Sequence, residues 1–221
     1  MEQLIQLNSN AKLSEHLASP SEAALSNLSE LNCVRLSPHF TLGEFTKSGS
    51  HPEVYNIPSH EAIGNLKRLC TWLEVLRERY NARYVLRPPL TPPVGGGIKG
   101  EGTPVGGEQL VGGQTNCPPP TGGDRGGLEP IVINSGYRSP QLNKKIGGAA
   151  GSNHLTGCAA DIRVYGMEQA LRYAVILLDY SKESHQDFDE LLIEKNRYGA
   201  IWLHFAVRPK GNRRKILFIN A

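Results

Sequence analysis

Apolar residues recur at helical spacing most clearly over residues 59–80. Ile63, Leu66, Leu69, Cys70, Leu73 and Leu76 fall on one face, and Lys67, Arg68, Glu74, Arg77 and Glu78 fall mostly on the other. A stripe of this kind predicts an amphipathic helix. Pro58 and Ser59 supply its start, and Glu61 suits the positive end of its dipole. A second helical pattern covers residues 167–181, with Leu171, Ala174, Val175 and Leu178 read as its inward face. Two shorter helices are expected. Thr41 and Glu44 form a capping box anchored by Phe40, Leu42 and Phe45. Ser139-Pro140 gives an N-cap and first-turn pair for residues 141–146, closed by Gly147-Gly148. Strands are predicted at 131–133, 159–164, 188–194, 200–207 and 215–219.

The periodicity fails in two places. Residues 1–35 are rich in Ser, Asn, Leu and Glu and read as an N-terminal extension, too short to build its own core. Between residues 87 and 130 lie 13 of the 24 glycines and 9 of the 15 prolines, in imperfect units such as Pro93-Val94-Gly95-Gly96 and Pro104-Val105-Gly106-Gly107. That composition buries too little apolar surface to offset chain entropy, so 88–130 is expected to be a disordered insertion into a single domain spanning 36–221.

Composition narrows the field. A net charge of +3 is far from a nucleic-acid footprint. No apolar run is long enough to cross a membrane, and residues 1–7 lack the basic and apolar regions of a secretory signal. The expectation is therefore a monomer with neither nucleic acid nor membrane as partner, made in the cytoplasm without its own export signal. Cys33, Cys70, Cys117 and Cys158 are scattered and form no CxxC pair, so reduced thiols are expected, with Cys70 in the core and Cys117 exposed.

Candidate chemistry concentrates in Ser152-Asn153-His154-Leu155-Thr156-Gly157-Cys158-Ala159-Ala160-Asp161 and in Ile201-Trp202-Leu203-His204-Phe205. Two imidazoles and one carboxylate, with water in a fourth position, are what a catalytic zinc usually takes. In extended strands Asp161 shares a face with Ala159 and Arg163, and His204 shares one with Trp202 and Ala206. If these strands pair antiparallel, Asp161 and His204 meet, and His154 can swing over them from before the Gly157 bend. Small Ala159 and Ala206 would leave room for a ligand. The other histidines, His16, His39, His51, His60 and His185, read as surface residues.

Ser152-x-His154-x-x-Gly157-x-Ala159-x-Asp161 resembles the signature of the M15 zinc D-Ala-D-Ala peptidases. The resemblance extends to Asn134-Ser135-Gly136-Tyr137-Arg138-Ser139-Pro140 with Asn143, and to Trp202-Leu203-His204. Phe40-Thr41-Leu42-Gly43-Glu44-Phe45 is similar to the N-terminal part of the phage and prophage branch, and coverage is roughly 36–87 plus 131–208. The resemblance implies a small α+β fold with helices packed on an antiparallel sheet that carries the zinc. It maps the metal ligands to His154, Asp161 and His204, and Arg138 to the arginine that faces the substrate. Tyr137 and Ser152 would shape the pocket, with Trp202 as a wall. Several family members carry an acidic general base three positions before the last histidine, where this chain has Ile201. Glu194 is the candidate replacement and Asp189 the alternative.

The function this implies is a zinc metallopeptidase, endolysin-like, acting on peptidoglycan stem or cross-link peptides after phage- or holin-type release or from a virion. Two alternatives stand beside it. One is a non-catalytic zinc-containing wall-binding or virion structural module, and the other a cytosolic D-Ala-D-Ala dipeptidase.

Overall fold

The computed structural model describes residues 32–54, 56–86 and 128–220. Most of the expected N-terminal extension and most of the Gly/Pro-rich segment, with His16 and Cys117, lie outside the described residues.

The elements follow the local signals closely. Helix α1 (Leu42–Thr46) starts where the Glu44 carboxylate accepts from the Thr41 backbone N–H at 2.6 Å. Helix α2 (His60–Tyr80) is capped by Ser59, whose Oγ accepts from Ala62 N at 3.2 Å, and it ends with Arg77 and Arg79 in its last turn. These charges suit the two ends of the helix dipole. Residues Asn81–Val85 continue α2 as a wider helical turn. Then come β1 (Ile133–Ser135), α3 (Pro140–Lys145) with Ser139 as its N-cap, a 3-10 turn (Asn153–Thr156) and β2 (Ala159–Arg163). Helix α4 (Met167–Ser184), β3 (Glu190–Lys195), β4 (Ile201–Ala206) and β5 (Lys215–Asn220) complete the order.

The fold is α+β, built on one five-stranded sheet in the order β1-β2-β4-β3-β5. Three of its pairings are antiparallel; β5 pairs with β3 in parallel, which makes the sheet mixed at that edge. The β3–β4 pair is a hairpin closed around Asn196, whose N–H donates to Ala200 O at 3.0 Å. One sheet face presents Ile162, Leu191, Ile193, Leu203 and Phe205 to the helix layer, where Trp72 of α2 packs against Phe205 and Phe188. The other face carries Asp161, Glu190, Glu194 and His204 and holds the candidate site.

Three details differ from the sequence reading. The inward face of α4 is Ala170, Tyr173, Ala174, Ile176 and Leu177, while Leu171 and Val175 are 52% and 48% exposed. Glu129, placed in the insertion, belongs to the domain: its N–H donates to Asn81 Oδ1 at 2.7 Å and its carboxylate accepts from Gln169 at 2.8 Å. Val34 and Arg35, placed in the extension, belong to the domain: Arg35 bridges to Thr41, and Val34 O accepts from Leu42 N at 2.8 Å. Cys70 and Cys158 are buried free thiols, and burial pushes Cys70 up to about 12. Cys33 is disulfide-bonded, so the expectation of reduced thiols fails there. No helix among the described residues is long and apolar enough to cross a membrane.

Candidate metal centre

Register delivers the centre. Asp161 on β2 sits directly opposite His204 on β4, which in turn sits opposite Leu192 on β3. Because side chains alternate, Trp202, His204, Glu190 and Glu194 all project to the face that Asp161 occupies. The third residue arrives from outside the sheet. Ser152 caps the 3-10 turn that carries His154, and Gly157 closes it at φ 70°. A Cβ at Gly157 would lie 2.5 Å from Ala62 O, so both the dihedral and the space call for glycine. The His154 carbonyl accepts from Arg138 N at 3.0 Å, and its ring Nδ1 donates to Gly136 O at 2.6 Å.

These constraints aim His154 Nε2 at the sheet. It lies 3.3 Å from Asp161 Oδ1 and 3.3 Å from His204 Nδ1, and the last two atoms are 2.9 Å apart. Three donors around a tetrahedral metal, each held at ~2.0–2.1 Å, would be separated by roughly 3.3–3.4 Å. The observed triangle is close to that. All three residues are buried and can hold a metal ion. The hydrogen bond from His154 to Gly136 fixes the ring so that Nε2 is the free nitrogen, as metal-ligating histidines require. The second oxygen of Asp161 is taken by Arg138 Nη2 at 2.6 Å.

The electrostatics fit a cation in this place. Burial alone would raise the Asp161 carboxyl, but the charges and hydrogen bonds of His154 and His204 outweigh it and hold the group well below the carboxylate range. Burial likewise opposes a charged His204, yet Asp161 and Glu190 push that imidazole up to about 9. In the metal-free protein a proton thus fills part of the role a metal would take.

The centre opens into a cavity of about 360 Å³ lined by Arg138, Ser152, Glu194, Trp202 and Arg213, among others. Four of these were expected at the site. Tyr137 was expected to shape the pocket, but it is packed in the hydrophobic core and does not line this cavity. Its carbonyl and the following Ser139 N–H are clamped by the Asn56 side chain at 2.7 and 2.6 Å, so the segment orients Arg138 instead. Ala159 and Ala206 pair with each other and also lie outside the cavity lining. Asn143 is structural: its amide donates to Gly148 O and Ala149 O at 3.1 and 3.0 Å.

The carboxylates on β3 divide sharply. Glu194 is half-buried at the Trp202 end of the cavity, and burial raises its carboxyl. Asp189 is fully buried, bound by Arg213 through Nε and Nη2 at 2.8 and 2.7 Å and by Asn153 at 2.7 Å. Burial would raise Asp189 too, but those partners hold it down, and it faces no part of the cavity. Asp189 thus belongs to a buried ion-pair cluster rather than to the cavity wall. Ile201 sits on the helix face of β4, packed against the core, so that strand position does not face the metal centre. Glu190 escaped the sequence reading altogether; it lines the cavity beside His204, and His204 and Arg213 hold it down to about 2. Its signal was the alternation Glu190-Leu191-Leu192-Ile193-Glu194, which puts both glutamates on one face.

A family model described as Peptidase M15 matches residues 124–187. The match supports the M15 peptidase family. It spans Arg138, His154 and Asp161 and stops short of β3 and His204, so the geometry adds His204 to the possible donor set independently of it. Comparison with curated proteins gives no match. M15 peptidases are metal-dependent, which agrees with the donor set found here.

Proposed function

We propose that this chain is a zinc peptidase that hydrolyses peptidoglycan stem or cross-link peptides. The observation that carries the reading is the near-tetrahedral triangle of His154 Nε2, Asp161 Oδ1 and His204 Nδ1 at the floor of a cavity walled by Glu194 and Arg138. Two imidazoles and a carboxylate suit zinc, which when bound supplies Lewis acidity to polarise a scissile carbonyl and to acidify water.

The protein's own residues supply the rest. Glu194 takes a proton from the attacking water and returns it to the leaving amine, a task suited to a carboxyl that burial raises. Arg138, tied to Asp161 and to Ser135 Oγ at 2.9 Å, presents fixed positive charge on the wall where a substrate carbonyl or carboxylate would lie. Trp202 and Ser152 flank the substrate. The non-catalytic alternative rests on Ile201 and on the Gly/Pro-rich insertion; the Glu194 carboxylate in the cavity wall supports the catalytic reading against it. Digestion of purified peptidoglycan by the zinc-loaded protein, with mass analysis of the products, tests the proposal. Released stem-peptide fragments are expected, and their termini separate carboxypeptidase from endopeptidase action. Intact wall after digestion, with free D-Ala-D-Ala hydrolysed instead, would favour a dipeptidase.

A further inference from the structure

We propose that Glu190 is the positioning residue for His204, accepting the proton of Nε2 so that Nδ1 is turned to the metal; this rests on the metal-centre reading above. The two nitrogens of His204 have different surroundings. Nδ1 faces Asp161 Oδ1 at 2.9 Å and His154 Nε2 at 3.3 Å, which is the ligand side. Nε2 points away from them, is buried, and makes no hydrogen bond. The Glu190 carboxylate lies beside it, with Oε2 at 3.5 Å. An imidazole that gives one nitrogen to a metal keeps its proton on the other, and a buried N–H without an acceptor is destabilising. A carboxylate only accepts, so the polarity of the pair matches. Closing the remaining gap requires a shift of a few tenths of an ångström.

Glu190 is itself held from two sides. Arg213 Nη2 reaches Oε1 at 2.8 Å, and Asn153 Nδ2 donates to Oε2 at 2.9 Å. Asn153 is the residue before His154. Its amide also donates to Asp189 at 2.7 Å and accepts from Arg208 Nε at 2.7 Å. One network therefore braces the turn that carries His154 and places the carboxylate that faces His204. Glu194, four residues along β3 on the same face, is opposite Trp202, whereas Glu190 is opposite Ala206; His204 lies between them. The two glutamates thus serve the same histidine strand from opposite ends, one toward the substrate cavity and one toward the back of the ring.

The test is zinc affinity by chelator competition, together with ¹⁵N-resolved imidazole NMR of the zinc-loaded protein. Glu190→Ala should bind zinc roughly 10–100-fold more weakly, the usual effect of removing such a partner, and should lose the slowly exchanging Nε2 proton of His204. Glu190→Gln keeps the side-chain volume but not the carboxylate, and should bind zinc more weakly than the parent and no more weakly than Glu190→Ala. Parent affinity in both variants overturns the proposal, as does weakened binding with the His204 proton signal unchanged. A parent protein that binds no zinc overturns both this proposal and the metal reading. Zinc binding with the expected Glu190 effects, but no cleavage of peptidoglycan, overturns the proposed function and leaves this assignment standing.

Discussion

On β4, Leu203 and Phe205 point into the helix layer and are fully buried, while their neighbours Trp202 and His204 face the cavity. The same division runs along β3, where Leu191 and Ile193 alternate with Glu190 and Glu194, and along β2, where Ile162 adjoins Asp161. One backbone ladder holds both faces, but the forces on them differ. The helix face gains from apolar area removed from water and depends on volume. The site face buries charge, and buried charge is tolerated only when it is paired. Asp161 meets that demand with Arg138, His154 and His204, and Glu190 meets it with Asn153 and Arg213. The packed helix face fixes the strands on which the site residues stand, and the site itself contributes chemistry rather than core.

Adjacent residues should therefore fail in different ways. Phe205→Ala removes a ring packed on Trp72 and Phe188 and should cost about 3–5 kcal/mol of stability, measured by denaturant unfolding. His204→Ala, one position away, should abolish zinc binding in metal analysis while the metal-free protein still unfolds cooperatively. Equal loss of stability in the two metal-free variants would break the distinction between the faces.

The carboxylates of β3 sharpen it further. Glu194→Gln should keep zinc and fold while losing roughly 10²–10⁴-fold in peptide turnover, the range of a general base. Asp189→Ala should instead lower stability by about 1–3 kcal/mol, because Asn153 and the part-exposed Arg208 and Arg213 lose a buried acceptor. A Glu194→Gln variant that turns over wall peptides at the parent rate would remove Glu194 from the mechanism.

Protonation offers a smaller and graded effect. His204 stands at about 9 in the metal-free protein, above the 6.5 of an unperturbed imidazole. The fold thus favours its protonated form, and that stabilisation is fully present below pH 6.5 and lost as pH rises through about 9. Zinc must displace the same proton. Its apparent affinity should rise about tenfold per pH unit across that window and level off above it. A flat profile in chelator-buffered titrations between pH 6.5 and 9 would show that His204 is not a ligand.

Much of the site was legible because period-2 alternation converts sequence directly into geometry. Asp161 and His204 needed only an antiparallel register to meet, and the register pairs them. The hairpin around Asn196 likewise placed Glu194 from its short connection alone. Glu190 was missed because its role depends on Asn153 and Arg213, which are distant in sequence and come together only in the fold. The parallel addition of β5 was equally hidden, since residues 215–219 carry no mark of strand direction. Tyr137 was misplaced because its motif sits beside Arg138, and proximity in sequence said nothing about which side chain turns to the core.

Helix α4 gives the mildest case of the same ambiguity and the smallest expected effect. Residues 171, 174, 175 and 178 and residues 170, 173, 174 and 177 both repeat at helical spacing, so periodicity alone allows either stripe to face inward. The choice is made by the neighbours: Tyr173 packs edge-to-face on Tyr80 at 4.8 Å, and Leu177 is fully buried, which leaves Leu171 at 52% exposure. Leu177→Ala should cost about 2–5 kcal/mol as a core truncation. Leu171→Ala, the same substitution one and a half turns earlier, should change stability by no more than about 0.5 kcal/mol, as surface replacements do. Thermal unfolding of the two variants side by side measures the difference. A Leu171→Ala loss as large as that of Leu177→Ala would mean that this helix face is covered in the protein, and the inward stripe would have to be redrawn.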